Sequence, residues 1–360
     1  MALSSICRRK PKRNGISRYR PVPGWPLLFI SLFQAAGCGA GGGEPGPRVA
    51  AADDLLPAEP TRRAPPASEP VRQGEQRLAA GDPTGARRLF ERAVAENPED
   101  ARAHFDLGMA LELLDDPAGA EQRYRRAIEL RPDFAEALNN LGLLLRAQGK
   151  SGEAVTMLRR AVAANPASAE GHINLALGLE ESGDLPGAES EYREALRIDP
   201  GATMTRANLG LLLVRVGRKP EALAELKRAL PGARGNRAAL LTIGNGLRLA
   251  GDPAAAVGAM QAATAAGDKR PTPALLSELA LAQLAAGDRS AGIGSLREAI
   301  ALDQSFAVAH YLLANMLAAD GKYDDAISHY RQYLKLEPEG EQAGRARERL
   351  QRVRQAKNSR

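Results

Sequence analysis

Small residues recur along this chain with a period of 34, and the period indicates a series of closely packed helices. Counted from Ala67, the chain divides into eight frames with a two-residue slip at Thr272. The frames are 67–100, 101–134, 135–168, 169–202, 203–236, 237–270, 273–306 and 307–340. Positions 8, 20 and 27 of the frames hold Gly or Ala in every case except Tyr333. Small side chains at fixed places let helix backbones approach closely, so the period predicts a stack of repeated units.

Each frame is predicted to form two helices joined by a turn. Glycine stands at position 15 in seven frames, where it closes the first helix, because glycine adopts a left-handed backbone without steric cost. Proline at position 32 in five frames ends the second helix. Position 24 holds a large apolar residue throughout: Phe90, Tyr124, Leu158, Tyr192, Leu226, Met260, Leu296 and Tyr330. A unit of this size cannot bury its apolar face alone, so stacked repeats are expected to share one core.

The pattern over residues 67–340 resembles the tetratricopeptide repeat family. Segments such as LNNLGLLLRAQGKSGEAVTMLRRAVAANP carry most of the family's small-residue and proline positions. The resemblance implies an all-α, right-handed superhelical solenoid of eight repeats. Pro70 predicts a short or frayed first helix in frame 1, and irregular joints are predicted at Pro231–Asn236 and Lys269–Pro273. Because such repeats serve many unrelated assemblies, the fold alone does not define a function.

Charge argues against nucleic-acid binding. The formal net charge is +6, but residues 1–37 contain seven Lys and Arg and no acidic residue. The remainder holds 42 basic and 43 acidic residues, and the repeats show no basic stripe interleaved with aromatic residues. The low aromatic content of 4% also suits helix packing through Ala and Leu. We therefore expect no nucleic-acid partner.

The N-terminus is predicted to be a targeting segment, residues 1–37. A basic region is followed by the short apolar run Leu27–Phe33, which is too brief to cross a bilayer. The segment from Ala35 to Cys38 resembles a bacterial lipobox, which implies cleavage before Cys38 and lipid attachment to its sulfur. Ala35 departs from the usual Leu of a lipobox, so ordinary secretion stays open, as does a wrongly assigned start. Residues 38–66, rich in Pro, Gly and Ala, are predicted to form a disordered tether.

Candidate chemistry in the repeats is sparse. Three of the four histidines share position 4, a slot that faces a neighbouring helix, so we interpret them as structural. The paired carboxylates at 115–116 and 324–325 are predicted to cap helix starts. No zinc-protease, redox, nucleophile-elbow or phosphate-loop motif is present, and no residues remain for a catalytic domain. We therefore expect no enzyme activity, no catalytic residues, no metal site, no cofactor and no small-molecule substrate.

The first helix of each repeat offers a candidate peptide site. In the family this helix lines a concave groove through positions 2, 5, 6, 9, 12 and 13. Position 6 holds the predicted peptide-binding residues Asp106, Asn140, Asn174, Asn208 and Thr242. An Asn amide both donates and accepts hydrogen bonds, so a row of them could hold an extended peptide backbone. The row resembles the asparagine ladder in the repeat domain of O-GlcNAc transferases; solvated asparagines without such a role are the alternative.

Neighbouring positions predict the lining of the groove. Phe105, Met109, Leu143, Ile173, Leu177, Met204, Leu211, Val214 and Leu241 form a predicted apolar floor. An alternative is that adjacent repeats cover some of them. The charged residues around this floor are of both signs, which argues against a specialised carboxylate clamp.

The last 20 residues, 341–360, are predicted to form a basic capping helix and tail. Ala343, Ala346, Leu350 and Val353 make a narrow apolar stripe that would close the exposed end of the stack. Contact with anionic lipid or with peptidoglycan-associated partners is the alternative for its basic face.

The sequence thus predicts a lipid-anchored scaffold of the bacterial cell envelope, at the outer membrane or the periplasmic side of the inner membrane. Proteins of this type resemble adaptors for pilus assembly or peptidoglycan-hydrolase recruitment, with protein or extended peptide partners. A soluble cytoplasmic co-chaperone and a substrate-recruiting subunit of a transferase remain open.

Overall fold

Seventeen α-helices and one 3-10 turn form the part of this computed structural model that is described, residues 68–267 and 270–359. The first helices of the repeats are α1 Glu69–Ala79, α3 Ala101–Leu113, α5 Ala135–Ala147, α7 Ala169–Ser182, α9 Thr203–Arg215, α11 Arg237–Ala250, α13 Pro273–Ala285 and α15 Ala307–Ala319. The second helices are α2 Pro83–Glu96, α4 Pro117–Leu130, α6 Ser151–Ala164, α8 Leu185–Ile198, α10 Lys219–Ala229, α12 Pro253–Ala265, α14 Arg289–Leu302 and α16 Tyr323–Leu336. The last helix is α17 Ala343–Asn358. Targeting, Cys38 lipidation and the tether concern residues outside those described.

The turn inside each repeat has the backbone that its glycine predicts. The seven glycines at position 15 have φ between 71° and 102°, in the left-handed region. Repeat 2 carries Asp115 at this position with φ of 60°. Asp115 is therefore held in a conformation that costs an ordinary residue about 1 kcal/mol or more.

Aspartates after this turn start many of the second helices. Asp82, Asp116, Asp184, Asp252 and Asp288 are N-caps whose carboxylates accept backbone N–H groups in the first turn of the helix. The predicted capping role therefore holds for Asp116. It does not hold for Asp324 and Asp325, which lie inside the first turn of α16 after the N-cap Lys322.

Packing within each repeat pairs a small residue with a large one. A Cβ atom on Gly108 would stand 2.6 Å from Tyr124, and one on Gly142 would stand 2.6 Å from Leu158. All residues at positions 8, 20, 24 and 27 are buried. The glycine thus removes the atom that would collide with the large side chain of the second helix.

Successive repeats stack so that each second helix packs on the first helix of the next repeat. One joint differs: α10 ends early, and a 3-10 turn, Leu230–Ala233, contacts both α9 and α11. Gly235 follows with φ of 74°, so the irregular joint predicted at 231–236 is present. In repeat 1, Pro70 lies in the first turn of α1, which is shorter than the other first helices, as predicted.

Helix α17 closes the last repeat through the predicted apolar stripe. Its buried residues are Ala343, Ala346, Leu350 and Val353. Tyr333 explains the exception at position 27, because its buried ring lies 5.3 Å from Tyr311 and its hydroxyl accepts the backbone N–H of Gln342. The predicted all-α solenoid of eight helix pairs with a capping helix is confirmed.

Candidate peptide-binding groove

A continuous stripe of half-buried side chains runs along the first helices. It consists of positions 6, 9 and 12 in repeats 2 to 8, and we call it the groove stripe. Every residue of the stripe is half-buried except Asp106, which is fully buried. Positions 6, 9 and 12 lie about one helical turn apart on one helix face, so consecutive first helices align these side chains into one surface.

The three predicted asparagines lie together on this stripe. Asn174 in α7 donates its amide to Oδ1 of Asn139 in α5 at 2.9 Å, and Asn139 donates to Oδ1 of Asn140 at 3.4 Å. The carbonyl oxygen of Asn174 and the amide nitrogen of Asn140 make no hydrogen bond within the described residues. Asn208 makes none with either atom of its amide in the same part of the chain. These groups are available to a peptide backbone.

Asp106 and Thr242 differ from the asparagines. Asp106 has no exposed surface and accepts a hydrogen bond from Arg102 at 2.8 Å. Burial raises the pKa of Asp106 to about 6, although Arg102 opposes the shift. Thr242 is half-buried, but its hydroxyl donates to the carbonyl of Ala238 in its own helix at 3.0 Å. The structure therefore does not expose Asp106 to a peptide, and it leaves Thr242 only as an acceptor.

The predicted apolar floor is largely present on the stripe and its flank. Met109, Leu143, Leu177, Leu211 and Val214 are half-buried along it. Phe105 is an exception, because it is buried in the core with its ring 5.0 Å from Phe134 and 5.8 Å from Tyr124. For Phe105, the alternative of coverage by neighbouring elements holds.

Charged pairs link neighbouring repeats along the stripe. Arg215 donates to Glu180 at 3.1 Å, and Glu180 also accepts the buried hydroxyl of Tyr192 at 2.8 Å. Arg146 lies 3.5 Å from Glu181, whose pKa is raised mainly by burial. These contacts fix the side chains of repeats 3 to 5 relative to one another.

Several polar atoms of the stripe are buried without a hydrogen bond. They are Asp106 Oδ1, Arg146 Nη1, Asn245 Oδ1, Arg248 Nε and Glu278 Oε2. Arg248 and Glu278 form a loose ion pair at 3.8 Å, and burial raises the pKa of Glu278. Unsatisfied buried polar atoms cost about 1–3 kcal/mol each.

The sequence predicts Arg146 and Arg248 in the groove only as part of its mixed charge, and it does not single out Asn245 at position 9 or Asn139 at position 5. Their signal was their spacing, because positions 9 and 12 follow position 6 by three and six residues and so share its helix face.

The stripe deepens into a cavity of about 280 Å³ in repeats 7 and 8. Its floor is apolar, with Leu281, Leu284, Leu312 and Met316, and Arg349 of α17 lies at its edge. Arg349 donates to Oδ1 of Asn315 at 2.6 Å, so the capping helix contributes a side chain to the groove stripe.

The histidines lie away from the stripe, at the joints between repeats. His104, His172 and His310 each place Nε2 within 3.1 Å of the carbonyl at position 32 of the preceding repeat. Across residues 68–267 and 270–359, no group of three His, Cys, Asp or Glu side chains could hold a metal ion. Within the same ranges, every helix is too short or too polar to cross a bilayer.

Comparisons with known proteins agree with this fold. Among solved structures, a tetratricopeptide repeat protein from Parabacteroides merdae ATCC 43184 is 15% identical, covering 69% of this chain and 98% of that chain with a TM-score of 0.52. The Cut9–Hcn1 hetero-tetramer of APC/C is 16% identical, covering 78% of this chain and 55% of that chain with a TM-score of 0.51. YrrB, described as a TPR protein with an unusual peptide-binding site, is 21% identical, covering 55% of this chain and 97% of that chain with a TM-score of 0.45. The likenesses to the Parabacteroides merdae protein and to Cut9–Hcn1 show the fold alone.

Sequence-family comparison covers most of the repeats. No curated protein matches the chain. A tetratricopeptide repeat model matches residues 71–135, 114–155, 139–203 and 277–343, and a second model of the same repeat matches 203–228. These matches span more than half of the chain and coincide with the helix pairs described above. The chain therefore belongs to the tetratricopeptide repeat family.

Proposed function

We propose that this protein is a non-catalytic adaptor that holds an extended segment of a partner protein on the groove stripe. The observation that carries the proposal is the set of polar atoms on the stripe that lack hydrogen bonds. Asn140, Asn174 and Asn208 recur at the spacing of the repeat. Asn140 leaves its amide nitrogen available, Asn174 its carbonyl oxygen, and Asn208 both groups. A peptide backbone supplies the matching N–H and C=O groups without regard to its sequence.

The mechanism is positioning rather than chemistry. The apolar floor would take alternate side chains of the bound segment, and the asparagine amides would hold its backbone. The cavity beside Leu312 and Arg349 would take one larger side chain at the C-terminal end of the stripe. Tetratricopeptide repeats are a protein-interaction fold, which supports an adaptor role.

We further propose that Cys38 carries a lipid that anchors the adaptor at the bacterial cell envelope, where it serves assembly of an envelope complex. The support comes from the sequence alone: a basic region, a short apolar run and small residues before a lone cysteine. Cleavage before Cys38 would remove Cys7, so no disulfide could form within the mature chain.

The groove proposal is tested with a triple variant, Asn140→Ala, Asn174→Ala, Asn208→Ala. Partners captured from native membranes by the wild type are mapped to segments, which are synthesised and titrated calorimetrically. Loss of hydrogen bonds worth about 1 kcal/mol each predicts at least a tenfold rise in Kd for the triple variant. A matched variant off the stripe, Asn165→Ala with Asn358→Ala, is expected to bind as the wild type does. Equal binding by all three proteins would sink the proposal.

Anchoring is tested separately by fractionation of cells that produce wild type or Cys38→Ala. The wild type is expected in the membrane fraction and the variant in the soluble periplasm. If both are soluble in the periplasm, ordinary secretion replaces lipidation. If both are cytoplasmic, the co-chaperone or transferase-subunit alternatives replace the envelope role.

A further inference from the structure

The residue types at positions 4 and 23 of a repeat follow a rule along the chain. Both residues are polar in four repeats, and position 4 is a leucine in three others. The pairs are His104–Arg123, Leu138–Met157, His172–Glu191, Arg206–Glu225, Leu240–Ala259, Leu276–Ser295 and His310–His329. Each pair lies outside the groove stripe, with position 4 in the first helix of the repeat and position 23 in the second.

Two of the polar pairs bring a cation-forming side chain to a carboxylate. Nδ1 of His172 lies 2.6 Å from Oε2 of Glu191, and Arg206 donates to Oε2 of Glu225 at 2.8 Å. The same side chains also donate to the preceding repeat, since His172 contacts the Pro166 carbonyl and Arg206 the Pro200 carbonyl. The side chain at position 4 therefore has hydrogen-bond partners on both sides: a backbone carbonyl of the preceding repeat and a carboxylate of its own repeat.

The pair in repeat 8 is satisfied by a different arrangement. His310 lies within 3.1 Å of the Gln304 carbonyl through Nε2, and its Nδ1 lies 2.9 Å from Nδ1 of His329. With the Nε2–H of His310 donated to the Gln304 carbonyl, Nδ1 of His310 accepts a hydrogen bond from Nδ1–H of His329.

Repeat 2 lacks such a partner. His104 is only 4% exposed, and its Nε2 donates to the Pro98 carbonyl at 3.0 Å. Its Nδ1 atom is buried and makes no hydrogen bond among the described residues. In repeat 2, position 23 holds Arg123 where repeats 4 and 5 hold a glutamate, so it supplies a positive charge instead of an acceptor.

An open cleft of about 390 Å³ lies beside this histidine. We call it the His104 cleft; its lining residues are His104, Gln122, Arg123, Arg125, Arg126 and Glu129. Arg125 is bound to Glu121 and Glu153, and Arg126 to Glu129. Arg123 forms no ion pair within the part of the chain that the structure describes, so its charge is available to a ligand.

We propose that the His104 cleft binds a carboxylate side chain presented by an acidic segment of a partner protein. The carboxylate would stand beside His104 where Glu191 stands beside His172, and Arg123 would form an ion pair with it. The cleft shares no residue with the groove stripe, so this proposal stands independently of peptide binding there.

Binding of the carboxylate is coupled to proton uptake from solvent. Burial lowers the pKa of His104, Arg123 and Arg126 lower it further, and the Pro98 carbonyl and Asp100 oppose the shift. A bound carboxylate supplies the missing negative charge and stabilises the imidazolium, which donates from both ring nitrogens. The affinity therefore rises as the pH falls, by up to about tenfold per pH unit between the bound and free pKa values.

The test uses the full chain labelled with ¹⁵N-histidine. Acetylated triglutamate amide and inorganic phosphate are titrated in turn at constant ionic strength, at pH 6 and pH 8, and the ring signals are assigned with His104→Gln. We expect triglutamate to shift the His104 signals, more strongly at pH 6, and to leave His172 unchanged. No shift at His104, or a shift with phosphate alone, would overturn the proposal.

Arg123→Glu is the sharpest variant, because it installs the internal carboxylate of repeats 4 and 5. This variant is expected to fold, to move the His104 signals toward those of His172, and to lose the response to triglutamate. Arg331→Glu makes the same charge change at an exposed site of α16 and is expected to respond as the wild type does. An unchanged response in Arg123→Glu would contradict the assigned site.

Discussion

At the scale of single residues, Asp115 shows what a repeat requires at one backbone position. It is the only residue other than glycine with positive φ among those described, and it occupies the slot that glycine fills in the other seven repeats. Its own carboxylate makes no hydrogen bond there, whereas that of the next residue, Asp116, caps α4. The conformation at Asp115 is therefore imposed by the turn and not by its side chain.

Replacing Asp115 with glycine is expected to stabilise the protein. Relief of the left-handed conformation is worth about 1 kcal/mol, partly offset by the greater freedom of glycine in the unfolded chain. We expect a net gain of about 0.5 kcal/mol in the free energy of unfolding, measured by urea denaturation. The reciprocal control is Gly149→Ala, where the added Cβ meets nothing within 4 Å and only the backbone is strained. That variant should lose about 1 kcal/mol; a loss in Asp115→Gly instead would contradict the argument.

Asp106 gives a prediction that depends on pH. Its pKa is raised to about 6 in the folded protein from an ordinary value of 3.8, so the folded state binds the proton more tightly than the unfolded state. The wild type therefore gains stability from this group as the pH falls from about 6 toward 3.8, and above pH 6 the buried charge is a cost.

Asp106→Asn removes that charge and should raise the Tm at pH 7.5. One pKa unit corresponds to about 1.4 kcal/mol, so the gain is at most about 3 kcal/mol, and it should shrink when measured at pH 5. The exposed exchange Asp133→Asn serves as the control and should change the Tm little at either pH. A lower Tm for Asp106→Asn at both values would mean that the carboxylate stabilises repeat 2 through Arg102.

At the scale of elements, α17 is held by an apolar contact and by exposed ion pairs. Tyr333 is 1% exposed and joins α16 to the start of α17. Lys357, near the other end of α17, pairs with Asp324 at a site where both side chains are largely exposed. Exposed pairs contribute about 0–1 kcal/mol, so the aromatic contact dominates.

Tyr333→Ala restores the small residue that the other repeats carry at position 27 but should detach the capping helix. We expect a loss of about 3 kcal/mol or more in local stability, seen as faster hydrogen exchange of the α17 amides. Lys357→Ala should change exchange by less than about 1 kcal/mol. Protection of α17 that survives Tyr333→Ala would show that Leu350 and Val353 are sufficient to hold it.

At the scale of the whole molecule, the sequence predicted what depends on local backbone and on periodic packing. The helix ends at glycine and proline, the buried small residues and the apolar stripe of α17 all follow from such rules. Depth within the groove was less predictable. Position 6 defines a helix face, yet Asp106 is fully buried and bound to Arg102, while Asn208 is half-buried, because neighbouring side chains decide how far each residue is covered.

Contacts between repeats account for the remaining differences. The bond from Asn174 to Asn139 joins residues 35 apart, and no periodic rule selects Asn139 at a position that is Phe105 in the repeat before it. The joint after repeat 5 was placed correctly, but its 3-10 geometry was not foreseen. These features depend on which residues occupy the contacting positions, whereas the period predicts only which positions are in contact.

The close pairing of positions 8 and 24 inside a single repeat bears on how this protein can change in length. A repeat that carries both the glycine and the large side chain it accommodates brings its own internal fit with it. Duplication or loss of such a unit would lengthen or shorten the binding surface by one step without a new core. The joint after repeat 5 is a barrier to that exchange, because its 3-10 turn contacts both α9 and α11, the first helices of the two repeats that it connects.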